Sequence, residues 1–360
     1  MNVAGARASA ACQEELARQG VHVPLPHRSV WLEMQNKPYW FVSVRDASGV
    51  CRCGFGVEAS KLRALPGHRT LRTRRFGASG GTVFRRRGLE AAVALARREP
   101  RVLQYHVEVF ERDETNRRAI AEDLGALGFR RSPHPWPYRE TISIDLRPTE
   151  EQQLASFHGT ARRHIRAAEK KPVDVLTVDD PVHGPRVGAL LRETLARTGG
   201  HYAHHAHQDW RALIALSRRH PNLLRIVGMF RSPDRDPGAL WAFAVGYNHG
   251  SHVEYGIAAS TRQTGDIRLP MGYALAWDLM RWAKSLGAEW FDFGGITRGT
   301  QRDPDDPLGG ISDFKRYFGT DVITVGEEWV FASRPVRAAI VGCVARCARR
   351  ILDLRQKPAV

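Results

Sequence analysis

FDFGGITRGTQRDPDDPLGGISDFKRYFG, residues 291–319, opens as the end of a buried strand and closes on a cation set among aromatic rings. The apolar run Glu289-Trp290-Phe291-Asp292-Phe293 stops at Gly294-Gly295, the pattern of a strand ending in a turn where backbone passes close to something else. A polar loop carrying Asp303, Asp305 and Asp306 follows, then Phe314-Lys315-Arg316-Tyr317-Phe318-Gly319. An ammonium held among rings is poorly solvated, so its charge is available to a bound anion or a developing oxyanion. A lysine between aromatics also serves as a snorkelling surface residue, its stem on the rings and its head in water. Burial of the Lys315 side chain is what separates the two readings.

Upstream, Met271 to Leu286 reads as an apolar helix stopped by Gly287. The order is helix, glycine stop, a strand ending Asp292-Phe293-Gly294-Gly295, a variable loop, and Gly310-Ile311-Ser312-Asp313-Phe314-Lys315-Arg316-Tyr317-Phe318. It resembles the Fem family of non-ribosomal peptidyl transferases, and Arg162-Arg163-His164-Ile165-Arg166-Ala167-Ala168 is similar to the basic helical segment of that family. The likeness runs from Thr141 to about Trp329. It implies an α/β fold with mixed sheets, built as two tandem GNAT-like acyltransferase domains. Residues 1–138 would form a first, degenerate domain on the acceptor side and 139–332 a second on the aminoacyl-donor side. Residues 333–360 would form a basic amphipathic helix packed on the first domain.

The resemblance also implies roles. Lys315 would be the cation near the tRNA 3′ terminus, Phe314 would pack the terminal adenosine, and Asp292 with the Gly294 and Gly295 amides would shape the cleft. Tyr255 resembles a substrate-side tyrosine of the family, its other reading being a core aromatic. In relatives acting on a UDP-linked muramyl pentapeptide an arginine holds the diphosphate where this chain has His204 or His205, with Trp210 in the same acceptor-binding stretch. That departure argues against a nucleotide-linked acceptor. Glu108, on a first-domain strand, matches no family acid, and no general base is legible.

The chain of 360 residues suits two domains of comparable size. Its net charge of +16 comes mostly from arginine, whose planar fork matches phosphate, so nucleic acid, nucleotide or an acidic membrane is an expected partner. Habitual use of arginine in place of lysine accounts for part of the excess. Cys51 and Cys53, two apart, are expected on one strand face, and Cys343 and Cys347 one helical turn apart; neither pair has zinc-knuckle spacing. An odd cysteine count and a polar first thirty residues without an apolar leader point to a reducing, cytoplasmic setting.

Along the first half, 30–34 reads as a short helix, 39–44 and 50–57 as strands about an Asp46-Ala47-Ser48-Gly49 turn, 89–98 as a helix, 105–110 as a strand and 114–127 as a helix. Strand, turn and strand with aromatics at the entry resemble the opening of a GNAT-class domain. A glycine-rich loop at 76–82, flanked by Arg72, Arg74, Arg75 and by Arg85, Arg86 and Arg87, suits a phosphate or a solvated connection equally. In the second half, 141–146 is a strand and 149–171 one helix with Arg162, Arg166 and Lys170 on a single face, a solvated stripe or a tRNA backbone contact. Arg316 joins this phosphate-binding set. Four histidines in 201–207 suggest a metal, but only Asp209 stands by to complete a ligand set, so no metal is expected. At Arg262-Gln263-Thr264-Gly265-Asp266-Ile267, Asp266 and Ile267 replace what a coenzyme A pyrophosphate loop needs. In the tail, seven basic residues face Asp353 on an apolar stripe from Val336 to Leu354, which suits docking on the first domain or peripheral contact with an anionic membrane.

The implied activity is transfer of an aminoacyl group from aminoacyl-tRNA to a free amine of a peptidoglycan precursor, small peptide or natural product, with no bound cofactor. Two other readings stand beside it: an acyl-CoA-dependent N-acyltransferase on the same double fold, and a non-catalytic nucleic-acid or membrane-binding relative.

Overall fold

A computed structural model describes residues 2–4, 6–62, 65–77, 80–133, 138–198, 208–262, 265, 267, 269–303, 306 and 308–338. The chain divides into two compact units, 1–137 with 325–360, and 138–324. The first begins with β1 (Asn2–Ala4), α1 (Ala6–Arg18), α2 (Ser29–Met34), β2 (Tyr39–Arg45), β3 (Cys51–Lys61) and β4 (Arg69–Phe76). It continues through α3 (Thr82–Arg98), β5 (Val102–Phe110), α4 (Glu114–Ala126) and β6 (Arg130–Arg131). The second comprises β7 (Glu140–Asp145), α5 (Glu150–Ser156), α6 (Gly159–Ala168), β8 (Val173–Thr177), α7 (Gly184–Thr198), α8 (Trp210–Arg219) and β9 (Leu224–Arg231). It ends with β10 (Leu240–Asn248), β11 (His252–Ser260), α9 (Gly272–Ser285), β12 (Trp290–Gly295), α10 (Gly309–Arg316) and β13 (Val322–Thr324). The chain then enters β14 (Gly326–Ala332).

Each unit is built on a seven-stranded mixed sheet, ordered β1-β2-β3-β4-β5-β14-β6 in the first and β13-β7-β12-β11-β10-β9-β8 in the second. The strand at 326–332, which the sequence assigns to the second domain, is inserted between β5 and β6 of the first sheet. Its residues Trp329 and Phe331 join the first core, and burial of those rings decides its place. Of the tail, 339–360 lies outside the described residues, and with it the expected amphipathic helix. Among the described residues no helix is long and apolar enough to cross a membrane.

β10, Leu240-Trp241-Ala242-Phe243-Ala244-Val245-Gly246, is buried without interruption because helices cover both of its faces: α7 packs on it, as does α9. β11 pairs antiparallel with β10 and parallel with β12, and the parallel register runs from His252–Trp290 to Glu254–Asp292. α9 buries Tyr273, Leu275, Ala276, Leu279, Met280 and Ala283 beneath Phe291 and Phe293. Burying Leu275, Leu279 and Met280 contributes roughly 1.5–3 kcal/mol each. The expected single helix over 149–171 is two helices. Thr149 and Gln152 form a capping box on α5, and its exposed carbonyls at Ala155 and Phe157 accept from Arg162. His158 restarts the helix by accepting from the Thr160 amide, and Phe157 between them enters the core.

Two further corrections concern the first unit. α3 begins at Thr82, so Arg85, Arg86 and Arg87 lie in its first turns rather than in a loop. Cys51 and Cys53 face opposite sides of their strand, because the register with β2 shifts between Val44 and Arg45. Cys51 packs under α1 and is joined to Cys12 by a disulfide, while Cys53 is a free, buried thiol in the main core. A disulfide was not part of the reducing-compartment expectation.

Candidate active site at the end of β12

β12 ends in an irregularity that follows from its glycines. Its register with β7 shifts between Asp292 and Gly295, so Phe293 and Gly294 stand where the partner offers one residue. Gly294 takes φ +72°, a conformation that other residues adopt only with strain, and a Cβ on Gly295 would stand 2.6 Å from the Cβ of Tyr138. The turn leaves Asp292 wholly buried beneath it. The Asp292 carboxylate accepts from Thr141 Oγ1 at 2.6 Å, the Tyr138 hydroxyl at 2.9 Å and the Gly294 amide at 2.8 Å. Asp292 is thus a keystone of the strand end, and the Gly294 amide that was expected to line a cleft is spent on it.

Lys315 closes over this strand end from α10. It is 5% exposed, and its ammonium donates to the Gly295 carbonyl at 2.5 Å. Burial draws its pKa down to about 8; the Asp292 and Glu254 carboxylates pull the other way. The snorkelling reading is therefore excluded. What holds α10 in place is the preceding loop. Ser312 Oγ accepts from the Thr297 amide at 2.9 Å, and Asp313 accepts from the Gln301 amide at 2.8 Å. Arg316 donates to the carbonyls of Gly299 at 2.9 Å and Thr297 at 2.5 Å. Arg316, expected to bind phosphate, is instead the clamp that fixes the loop against the helix carrying Lys315.

Phe314 is half-buried in a ring cluster with Tyr273 at 5.0 Å, Phe318 at 5.4 Å, Tyr255 at 6.2 Å and Phe293 at 6.2 Å between centroids. Gly272 at the start of α9 lets it approach, since a Cβ there would lie 3.4 Å from the ring. Tyr255 packs in the same core cluster, and burial pushes its hydroxyl pKa up. Glu254, the residue before it, was not singled out in the sequence. Its Oε2 accepts from His249 Nε2 at 3.1 Å, and His249 is 2% exposed. His252 stacks on His249 at 4.9 Å and on Trp290 at 4.4 Å, so the imidazole is packed in place from behind. Glu254 sits across from Asp292 in the strand register. The sequence signal for this pair was faint: two histidines about a hairpin Gly250, and a glutamate on an otherwise apolar strand.

The other expected site residues fall elsewhere. Trp210 is 5% exposed and meets Phe243 edge-on, a core contact rather than a substrate contact. Asp209 caps α8 by accepting from the Ala212 amide. His204 and His205 lie outside the described residues. Arg85 is 2% exposed and paired with Asp123 at 2.9 Å, which removes it from any phosphate; burial between α3 and α4 selected an ion pair there. Arg86 is exposed beside Glu90, and Arg87 is exposed. Arg162 caps α5, whereas Arg166 and Lys170 are exposed, and α6 stops at Ala168, short of Lys170. Glu108 lies in the first unit, buried against Arg72 beside Glu328, and burial raises its pKa. A separate cavity of about 370 Å³ in the second unit, lined by Ser217, Arg218, Asn222, Arg225 and Trp282, lies toward the C-terminal end of α9, whereas Phe314 packs at its N-terminal end.

Residues 155–316 match the family model described as the acetyltransferase (GNAT) domain. No curated protein sequence matches the chain significantly. Among solved structures the chain is similar to FemX, with a TM-score of 0.73 at 16% identity over 95% of this chain and 99% of that one. It is also similar to L-PGS from Bacillus licheniformis, with a TM-score of 0.52 at 13% identity over 93% and 96% of the two chains. A tandem GNAT protein from the clavulanic acid biosynthesis pathway gives 0.51 at 13% identity over 92% and 97%. With two mixed sheets in series and the acetyltransferase-domain match falling within the second unit, the chain carries the Fem-like tandem GNAT fold.

Proposed function

We propose that this chain is an amide-forming acyltransferase that passes an aminoacyl group from aminoacyl-tRNA to a free amine, on a peptidoglycan precursor, a small peptide or a natural product. The observation that carries the reading is the buried Lys315 against the glycine-bulged end of β12. An ester of ribose is already activated, so the protein needs no covalent intermediate. It must align two substrates and stabilise the tetrahedral oxyanion. An ammonium has three N–H donors; one is committed to Gly295, which leaves two for an oxyanion or a 3′-terminal oxygen. With its pKa drawn down to about 8, Lys315 is still mostly charged at pH 7. Phe314, half-buried beside it, offers the edge of a ring cluster on which a terminal base would stack. The exposed Arg166 and Lys170 suit a tRNA backbone, as do Arg86 and Arg87, and peripheral membrane contact belongs to the tail as an extension of the same proposal.

A second reading, an acyl-CoA N-acyltransferase, is favoured by the acetyltransferase-domain match over 155–316. Asp266, an anion in the stretch where such enzymes grip pyrophosphate, weighs against it. One assay separates the two. With charged tRNA and an amine, product is expected, RNase treatment abolishes it, and coenzyme A analogues leave it unchanged. Product from acyl-CoA with no RNA present rejects the tRNA-dependent reading, and a chain inert with both donors is the non-catalytic relative.

A further inference from the structure

The cavity of about 370 Å³ in the second unit plays no part in the transfer proposed above. It lies where β9 begins and where α8 and α9 end, since Leu224 and Arg225, Ser217 and Arg218, and Ser285 and Leu286 all line it. Phe314 packs on Gly272 at the other end of α9, and the 14 residues of that helix put about 20 Å between the two places. A volume of this size suits a small organic molecule.

The lining carries two charges of opposite sign that do not pair. Arg218, on the last turn of α8, and Asp179, just past the end of β8, are both exposed, and among the described residues neither forms a salt bridge. Arg225 lines the cavity as well, but its Nη2 meets the Asp278 carboxylate at 2.9 Å, which offsets its charge. The charges left over are therefore one guanidinium and one carboxylate. Leu224, Leu286 and Trp282 supply apolar surface beside them. The last carbonyls of α8 and α9 add negative potential, which favours a cation at that side. A simple anion in the cavity would meet the repulsion of Asp179, and a simple cation that of Arg218. A molecule carrying both an ammonium and a carboxylate satisfies the two together.

We infer that this cavity is a binding site for a small zwitterion with an apolar side chain, a free α-amino acid, whose carboxylate meets Arg218 and whose ammonium meets Asp179. The site is separate from the transfer centre, and its occupation does not depend on which donor that centre uses.

Calorimetric titration of the full chain at pH 7 with L-leucine, L-isoleucine, L-methionine and L-phenylalanine is expected to show saturable one-to-one binding. The tightest of the four is then compared with the carboxylic acid and the amine of the same side chain, each of which lacks one charge and should bind at least about tenfold more weakly. Arg218→Gln should weaken the amino acid about tenfold and leave the amine unchanged. Asp179→Asn should weaken the amino acid by a similar factor and leave the acid unchanged. Both positions are exposed, and melting curves matched to wild type verify that the variants fold. Lys315→Met should leave amino-acid binding as it is. No binding by any of the four overturns the inference, as does equal binding of acid, amine and amino acid. Binding that survives Arg218→Gln and Asp179→Asn but is lost in Lys315→Met also overturns it, by placing the amino acid at the transfer centre. Inorganic phosphate binding more tightly than the amino acid would make this an anion site and overturn it too. Rejection of the tRNA reading in the donor assay leaves the inference standing, because these titrations measure no transfer.

Discussion

Lys315→Met separates the cost of burying the ammonium from its use. In the unfolded chain the side chain keeps its ordinary pKa of 10.5, whereas burial lowers the folded value to about 8. The difference means that the folded protein carries the charged form at pH 7 at a cost of about 3 kcal/mol. Methionine fills a similar volume without charge. It also leaves the Gly295 carbonyl without its donor, which costs about 1 kcal/mol. The variant is therefore expected to be more stable than wild type by about 2 kcal/mol, a rise in Tm of about 4–8 °C. Aminoacyl transfer should fall on the order of 10²–10³-fold, the usual consequence of removing one oxyanion donor. Thermal melting at pH 7 and a transfer assay on the same preparation read both quantities. A variant that is less stable, or one that is fully active, refutes the reasoning: the first would mean that Lys315 is a net structural contributor, the second that its charge serves no reaction.

The same pKa fixes the direction of the pH dependence. Because the folded value lies below the unfolded one, the unfolded chain binds more protons between about pH 8 and 10.5, and this residue's contribution to stability rises with pH across that window. Transfer that needs the cation should instead decline as pH rises through about 8, and a pH–rate profile that climbs there would make Lys315 a base. Arg85→Met should destabilise by about 3–5 kcal/mol in urea unfolding by stranding Asp123, whereas Arg86→Ala should change stability by less than about 0.5 kcal/mol. Gly295→Ala should destabilise by about 1–3 kcal/mol because its Cβ meets Tyr138; a neutral melt would show that the turn adjusts. Cys12→Ser opens a loop spanning 39 residues and should lose about 4 kcal/mol in non-reducing buffer, with no further response to dithiothreitol.

Helix and strand positions in the second unit were legible because their patterns are strong. β10 is an unbroken apolar run, α9 shows helical spacing closed by Gly287, and Gly294-Gly295 marks the strand end. The errors have local causes. Arginines near glycines suit a phosphate loop and a solvated connection equally, yet one of them was recruited into the core by Asp123, a partner 38 positions away that no spacing rule connects to it. Arg162 and Arg316 read as free charges because a side chain's reach to a backbone carbonyl depends on where the chain turns. Trp210 carried no mark distinguishing a ligand-facing indole from a core one. The pairing of His249 with Glu254 depends on a hairpin folding back over five residues, which period counting does not weigh.

By itself the sequence determined that the chain alternates helices and strands, that a glycine pair ends β12, and that a lysine among aromatic residues follows it at a fixed distance. Those features depend on neighbours in the chain, through side-chain periodicity and the conformations that only glycine adopts freely. Tertiary structure alone decided that Lys315 is buried with its ammonium on Gly295, that Asp292 is buried and hydrogen-bonded beneath the Gly294 turn, and that β14 returns to the first sheet. Burial, charge compensation and hydrogen-bond saturation are sums over groups brought together from distant parts of the chain, and they take their values only once the chain has closed on itself.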